Sequence, residues 1–367
     1  MQIDSIEVFH VGLPLRQQGE GPDTLQTVLV RVTSGQTSGW GEASPGNAPL
    51  AGAEWAAGVF GCIRDHLAPR LTQSMVDSGD HLQERLARFQ GNRFAKGALD
   101  AAWWDLHARM EGRPLHQVLG GQREAVEVGV GFDQMESVDE FMASIGRALE
   151  AGFSRIELKF RPGWDLQMIN AVRQEFPTQT FHIDCEGALR LEHMEMMYRL
   201  EDFMLSMVEQ PLPADDLVGN AMVQEALRTP ICLDEGITTV DQADMALELK
   251  SCQYINIKPG RVGGLTPAMA IHDAAQEQSV PCWVGAVPQS AVGARIGLAL
   301  AAKSNFTYPA DFIPPDQLLQ QELADPPTAS RDQAEGNQQV TLWSEPGIGV
   351  EPDMELLDKL CIDRAKV

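Results

Sequence analysis

The chain has 367 residues, with 28 Lys and Arg against 52 Asp and Glu, a net charge of −24. That length buries a sizeable core and is enough for two domains. The acidic balance, without any block of basic residues, speaks against nucleic acid or an anionic membrane surface as partner, and no apolar run approaches a bilayer span.

Residues 1–50 alternate in strand fashion. Ile3–Val11, Leu25–Thr33 and Ser38–Glu42 form an antiparallel meander in this reading, with a polar, glycine-rich loop at 16–24. Residues 53–70 and 79–90 carry helical periodicity. Phe94–Met110 is the clearest helix, Ala-rich, with Trp103-Trp104 marking a buried packing face. Gly112-Arg-Pro-Leu and Leu119-Gly-Gly121 punctuate its exit. A boundary near residue 124 separates an α+β domain (1–124) from a barrel domain (125–315), and a C-terminal segment (316–367) is expected to pack back on the first domain.

From Val126 the rhythm becomes strand, helix, strand. Short apolar runs end at Lys159, Asp184, Glu209, Asp234 and Lys258, at intervals of 25, 25, 25 and 24 residues. A strand, a crossover helix and two loops fill about that many residues, so the repeat predicts successive βα units of a parallel barrel. Val126–Phe132 opens it, Val280–Val284 and Asn305–Tyr308 are the seventh and eighth strands, and helices lie at Ser137–Glu150, 165–176, 190–201, 215–227, 239–250, 265–277 and 290–303. Residues 311–338 read as a surface connector, followed by a strand at Gln339–Trp343 and a helix at Met354–Leu360.

Barrel enzymes work at the C-terminal ends of their strands. Asp184, Glu209 and Asp234 therefore converge there and offer only oxygen ligands, which suits Mg²⁺, with Mn²⁺ as the second candidate. Strand alternation turns Glu235 to the other side of its strand, so Asp234 is the expected ligand. Lys159 and Lys258 stand four strands apart, as opposed acid–base groups. With a cation that stabilises an enediolate, one lysine removes the proton next to a substrate carboxylate. His182 shares the face of Asp184 two residues deeper and reads as a barrel filler. Gly260-Arg-Val-Gly-Gly264 is a tight βα turn rather than a phosphate cradle.

Phe94–Leu106, Pro114-Leu to Leu119-Gly-Gly121, Lys159-Phe-Arg-Pro-Gly-Trp-Asp165, Val208-Glu-Gln-Pro-Leu212, Cys232-Leu-Asp-Glu235, Asn256–Leu265 and Gly347-Ile-Gly-Val350 give the chain a resemblance to the enolase superfamily. Within it, the sequence is similar to the muconate lactonizing enzyme subgroup, and most to its o-succinylbenzoate synthase and N-succinylamino acid racemase branch. The resemblance implies a modified (β/α)₇β TIM barrel with an α+β capping domain, Mg²⁺ on Asp184, Glu209 and Asp234, and Lys159 and Lys258 as catalytic lysines. The implied substrate is a small-molecule carboxylate, and cap loops would select it. Dehydration is the favoured outcome, with N-acyl amino acid racemisation and muconate-type cycloisomerisation as alternatives, and a metal-binding barrel without turnover as a reading of another class.

Three positions depart from that pattern near the substrate: Glu157 stands for the first lysine of Lys-x-Lys, Glu186 for an Asn and Gln289 for a Glu. A fourth, Asp311, is all this chain offers of the Asp-x-Asp signature of the dipeptide epimerases, a subgroup that fits less well. All four are expected to line the substrate site. Glu157 lies two residues from Lys159 on one strand face, roughly 6.5–7 Å away, and if ionised it raises the pKa of Lys159. Pairing with Arg261, protonation, or contact with a cationic group of the substrate would each relieve that conflict, the last being slightly favoured. Six scattered cysteines without a Cys-x-x-Cys pair, and no signal segment, lead to the expectation of a cytoplasmic protein, with homo-oligomerisation left open.

Overall fold

The structure is a computed structural model that describes residues 1–16, 23–50, 52–135, 137–161 and 163–367. Of the loop expected at 16–24, residues 17–22 lie outside the described residues.

The N-terminal meander consists of β1 (Ser5–Pro14), β2 (Thr24–Ser34) and β3 (Thr37–Ala43), all antiparallel. It packs on α1 (Arg93–Glu111), the Ala-rich helix. Small residues on both sides permit an unusually close approach. A Cβ at Gly41 would stand 2.1 Å from the Ala98 carbonyl oxygen, so any larger residue there would force strand and helix apart. The helix stops at Gly112, whose φ of 66° lets the chain turn back onto the last carbonyls. The helical stretch at 53–70 is not uniform. It widens to a π turn over Ile63–Leu67, with Pro69 two residues further on, which has no N–H to return to the preceding turn.

The barrel strands follow in sequence: β4 (Ala125–Phe132), β5 (Ile156–Lys159), β6 (Phe181–Asp184), β7 (Val208–Glu209), β8 (Ile231–Leu233), β9 (Tyr254–Ile257) and β10 (Cys282–Val284). Each is parallel to the next. The eighth position differs from expectation. A bridge at Phe306 meets Cys282, and the ladder that closes on β4 is β11 (Ala310–Asp311). Pro309 lies between the two and cannot donate to a ladder, so the expected Asn305–Tyr308 strand is reduced to the Phe306 bridge and the pairing with β4 begins only after the proline. The protein is thus a (β/α)₇β barrel under an α+β cap.

The segment after residue 315 divides as well. β12 (Gln338–Thr341) runs antiparallel to β4 of the barrel, whereas β13 (Cys361–Lys366), unforeseen in the sequence, extends the cap sheet along β1.

Three carboxylates tie the cap to the rest of the chain, two to the barrel and one to the C-terminal segment. Asp100 on α1 accepts from Thr266 N at 3.0 Å and from Gln83 Nε2 at 2.9 Å. Asp105 accepts from Trp40 N at 2.7 Å, Ile348 N at 2.6 Å and Arg109 Nε at 2.8 Å. Glu42 on β3 takes Ser290 N at 3.0 Å, Gly293 N at 2.8 Å and Ser290 Oγ at 2.6 Å, so a cap residue caps the barrel helix Ala291–Ala301.

Candidate active site

The barrel interior is built in levels. At the bottom, Met207, Cys232 and Trp283 pack with Tyr254 and Tyr308. Arg155 is fully buried above them, its guanidinium 4.9 Å from the Trp283 ring centroid. Gly129 on β4 makes room for it, since a Cβ there would meet Arg155 Nε at 2.2 Å. One step up, Glu157 pairs in register with His182, and at the top Lys159, Asp184 and Glu209 stand level on three adjacent strands. Asp234 and Lys258 follow directly on the last residues of β8 and β9. A cavity of about 800 Å³ opens over this level, bordered by Lys159, Asp184, Glu209, Asn256 and Lys258, with Phe132, Met135, Phe312 and Ile313 as its apolar wall.

The two lysines occupy unequal surroundings. Lys159 Nζ lies 2.5 Å from Asp184 Oδ2 and 3.2 Å from both Glu157 Oε1 and Glu186 Oε1. Burial opposes its charge, but Asp184 and Glu157 outweigh that and push its pKa up. Lys258 Nζ lies 2.5 Å from Asp234 Oδ2, while Arg261 holds the other oxygen of that carboxylate. Burial again opposes the charge, Asp234 overcomes it, Arg261 counteracts, and the pKa is pushed up to about 12. Burial would raise Asp234, yet Arg261 and Lys258 hold it below its ordinary value.

Glu209 has no such cation. Its Oε1 accepts from Asn256 Nδ2 at 2.8 Å, and its Oε2 has no hydrogen-bond partner among the described residues. Burial, followed by repulsion from Asp184 and Glu157, pushes its pKa well above the usual carboxylate range. An unpartnered carboxylate oxygen, buried among further carboxylates, is what a divalent cation would satisfy. The donor set therefore fits a divalent metal.

Several expectations change. Arg261 pairs with Asp234, not with Glu157, because the short helix Pro259–Val262 carries it towards the end of β8. Glu157 finds its cation two residues earlier in the chain, in Arg155, which directly precedes β5 and lies 3.2 Å away. Burial opposes the charge of Glu157, but His182, Lys159 and Arg155 outweigh it and hold the carboxyl well below the usual carboxylate range, so it is not protonated. Its oxygens meet Arg155 and Lys159 within the barrel, so the conflict expected with Lys159 is answered by the protein's own cations without a cationic group of the substrate.

Glu235 does not turn away. β8 ends at Leu233, so strand alternation no longer applies at Glu235, which lies 3.9 Å from Arg261. Burial and then the charges of Asp234 and Asp184 push its pKa up to about 8.

Glu186 is half exposed at the rim and divides its carboxylate between Lys159 and Arg161, at 3.2 and 3.4 Å. Asp311 borders the cavity while binding Arg155 at 2.5 Å and Ala286 N at 3.0 Å. Gln289 is apart from this cavity, in a small one between cap and barrel that also touches Lys258. Arg155, His182 and Asn256 were not foreseen as members of the site. Their common signal is spacing: each lies two residues before a charged residue of the site on the same strand face.

A closed parallel barrel with carboxylates and opposed lysines at its strand ends, beneath an α+β cap, defines an enolase-superfamily enzyme. Residues 9–120 match the mandelate racemase / muconate lactonizing enzyme N-terminal domain and residues 140–356 the enolase C-terminal domain-like model, and the chain belongs to this family. It is 32% identical to an o-succinylbenzoate synthase of Bacillus subtilis over 364 residues, covering 98% of this chain and 96% of that one. It is 36% identical to an N-succinylamino acid racemase of Thermus thermophilus over 336 residues, covering 90% and 91%. The crystal structure of an enolase-superfamily member from Enterococcus faecalis superimposes with a TM-score of 0.92 at 30% identity, covering 100% of this chain and 99% of the other. No helix is long and apolar enough to cross a membrane among the described residues.

Proposed function

We propose that this enzyme removes the proton next to a substrate carboxylate and completes a dehydration of the o-succinylbenzoate synthase kind. In this reading Asp184, Glu209 and Asp234 hold Mg²⁺, or Mn²⁺ in its place, and the protein works in the cytoplasm. The observation that carries it is the pair of lysine ammonium groups on strands four apart, each 2.5 Å from a carboxylate of the acidic set between them. A divalent cation bound there supplies positive charge where electron density builds on the substrate carboxylate.

The chain's own residues do the rest. A carbon held between Lys159 and Lys258 has a proton-transfer group on each face. Dehydration needs one of them to move protons while the other stays an ammonium and balances negative charge. The apolar wall of Phe132, Met135, Phe312 and Ile313 excludes water from the far side of the cavity. The opposed placement also supports a second reading, racemisation of N-succinylamino acids, in which each lysine serves one enantiomer.

Deuterium exchange from solvent separates the two. Lys159→Ala and Lys258→Ala are each expected to lower turnover by about 10²–10⁴. Loss of exchange in one variant alone supports dehydration. Loss of exchange for opposite enantiomers in the two variants supports racemisation. Unchanged exchange and turnover in both, on o-succinylbenzoate synthase substrate and on N-succinylamino acids, would overturn the proposal.

A further inference from the structure

Glu157 and His182, one level below the proposed Mg²⁺ ligands, and Glu209 from the level above turn towards a common point. His182 Nε2 lies 3.3 Å from Glu209 Oε2 and 3.5 Å from Glu157 Oε2. One ligand atom of each residue lies within 4.8 Å of the other two. All three side chains are at least nine-tenths buried. Neither His182 Nε2 nor Glu209 Oε2 has a hydrogen-bond partner among the described residues. Buried polar atoms are rarely left in this state without a ligand to satisfy them.

The spacing suits an ion. Ligands at about 2.0–2.2 Å from a tetrahedral centre stand roughly 3.4 Å from one another, close to the two short separations seen here. We propose that Glu157, His182 and Glu209 form a second metal site, for a transition-metal dication of the Zn²⁺, Co²⁺ or Mn²⁺ class, sharing Glu209 with the proposed Mg²⁺ site above it.

Three further features point the same way. The ring is oriented from behind: His182 Nδ1 lies 3.2 Å from the Tyr308 hydroxyl, which lies 2.9 Å from Ser206 Oγ. A hydrogen bond to the far nitrogen is the usual support of a metal-bound imidazole. The ligand chemistry is selective, because imidazole suits transition metals whereas Mg²⁺ takes oxygen. The two cations that touch Glu157, Arg155 and Lys159 at 3.2 Å each, are themselves paired with Asp311 and Asp184 at 2.5 Å, which leaves the charges of Glu157 and Glu209 to face a dication. Glu209 joins the levels, with Oε1 held by Asn256 and Oε2 facing His182.

The test is a Co²⁺ titration of the metal-stripped full-length protein under excess Mg²⁺. It uses a Cys62→Ser, Cys361→Ser background, which removes the two cysteines that are not buried. Visible absorption and equilibrium dialysis are the readouts. The expected result is one Co²⁺ per chain that Mg²⁺ does not displace, with intense bands of a low-coordinate ion. His182→Gln and Glu157→Gln should each weaken it by at least about tenfold and bleach the bands. Asp234→Asn should retain it even where Mg²⁺ binding is lost, which separates this site from the proposed catalytic one. Glu157→Gln preserves side-chain shape, so the result does not depend on the folding of His182→Gln. Complete displacement by Mg²⁺, or Co²⁺ binding unchanged in Glu157→Gln, would overturn the proposal.

Discussion

Asp105, on the cap helix, and Glu209, at the end of β7, are both sealed from water. Asp105 accepts three hydrogen bonds, from Trp40 N, Ile348 N and Arg109 Nε, so both its oxygens are occupied. Glu209 accepts one, from Asn256, and among the described residues its other oxygen has no hydrogen-bond partner and faces His182 at 3.3 Å. Burying a carboxylate is costly, and the two regions meet that cost differently. At the seam, backbone N–H groups from separate elements converge on the acid, which then joins them. In the barrel the lone pairs stay open, and stability is given up where a ligand is to bind. A buried carboxylate surrounded by donors marks architecture, and one without donors marks a site.

The largest test of that contrast sets Asp105→Ala against Glu209→Gln. Asp105→Ala strands two buried backbone donors and takes one partner from the Arg109 guanidinium, which keeps Glu351 and the Val350 carbonyl, and should cost about 2–4 kcal/mol, read by urea unfolding. Glu209→Gln replaces a carboxyl that burial already drives towards its neutral form with a neutral amide of the same shape, so in metal-free protein it should cost no stability. It should nonetheless weaken Mn²⁺ binding at least about tenfold in a calorimetric titration. Equal losses of stability would erase the distinction between the two regions.

A smaller effect appears against pH. Burial pushes Asp100 and Asp105 up from 3.8 to about 6. A folded pKa above the unfolded one means the native state takes up protons first as pH falls. Their contribution is therefore most favourable below about 4 and is lost as pH rises through about 6, by at most about 3 kcal/mol for each group. Glu157 and Asp234 act oppositely: their contribution is present above the ordinary carboxylate range and is lost only below it. Unfolding midpoints at pH 4.5 and 7.5 should differ less in Asp100→Asn than in the parent. An identical difference would mean that Asp100 titrates normally.

The smallest effect belongs to the rim. Glu186 is half exposed, and its ion pairs with Lys159 and Arg161 are screened by water. Glu186→Gln should alter stability by less than about 1 kcal/mol, as judged by thermal unfolding. A larger loss would place Glu186 with the buried acids.

The contrast also explains what could be read in advance. Charged residues recurring every 24–25 positions identified the strand ends, because each βα unit consumes a nearly constant length of chain. β5, β6 and β7 end at Lys159, Asp184 and Glu209 as expected. The α1 helix was equally legible from its Ala-rich periodicity. What escaped was information that no single segment contains. Arg155 was not identified as the partner of Glu157, since only barrel closure shows that both point inwards, with Gly129 leaving space. Glu235 was misdirected by alternation continued past the end of β8. β13 was missed because Cys361–Lys366 alternates weakly and lies half exposed on both faces. The seam carboxylates look like ordinary helix and strand acids until their backbone donors, up to 251 residues distant, are in place.

Glu42 lies in the first fifty residues, yet it closes the first turn of a helix that begins at Ala291. Lifting the cap as a rigid lid would expose three hydrogen-bond donors at Ser290 and Gly293 and leave that helix without its terminal anion. The seam therefore opposes rigid opening of the cap, and local rearrangement around the cavity mouth is the less costly way in for a substrate. Evolution of new specificities in this protein would proceed by exchanging rim side chains, with the cap and barrel inherited as one inseparable frame.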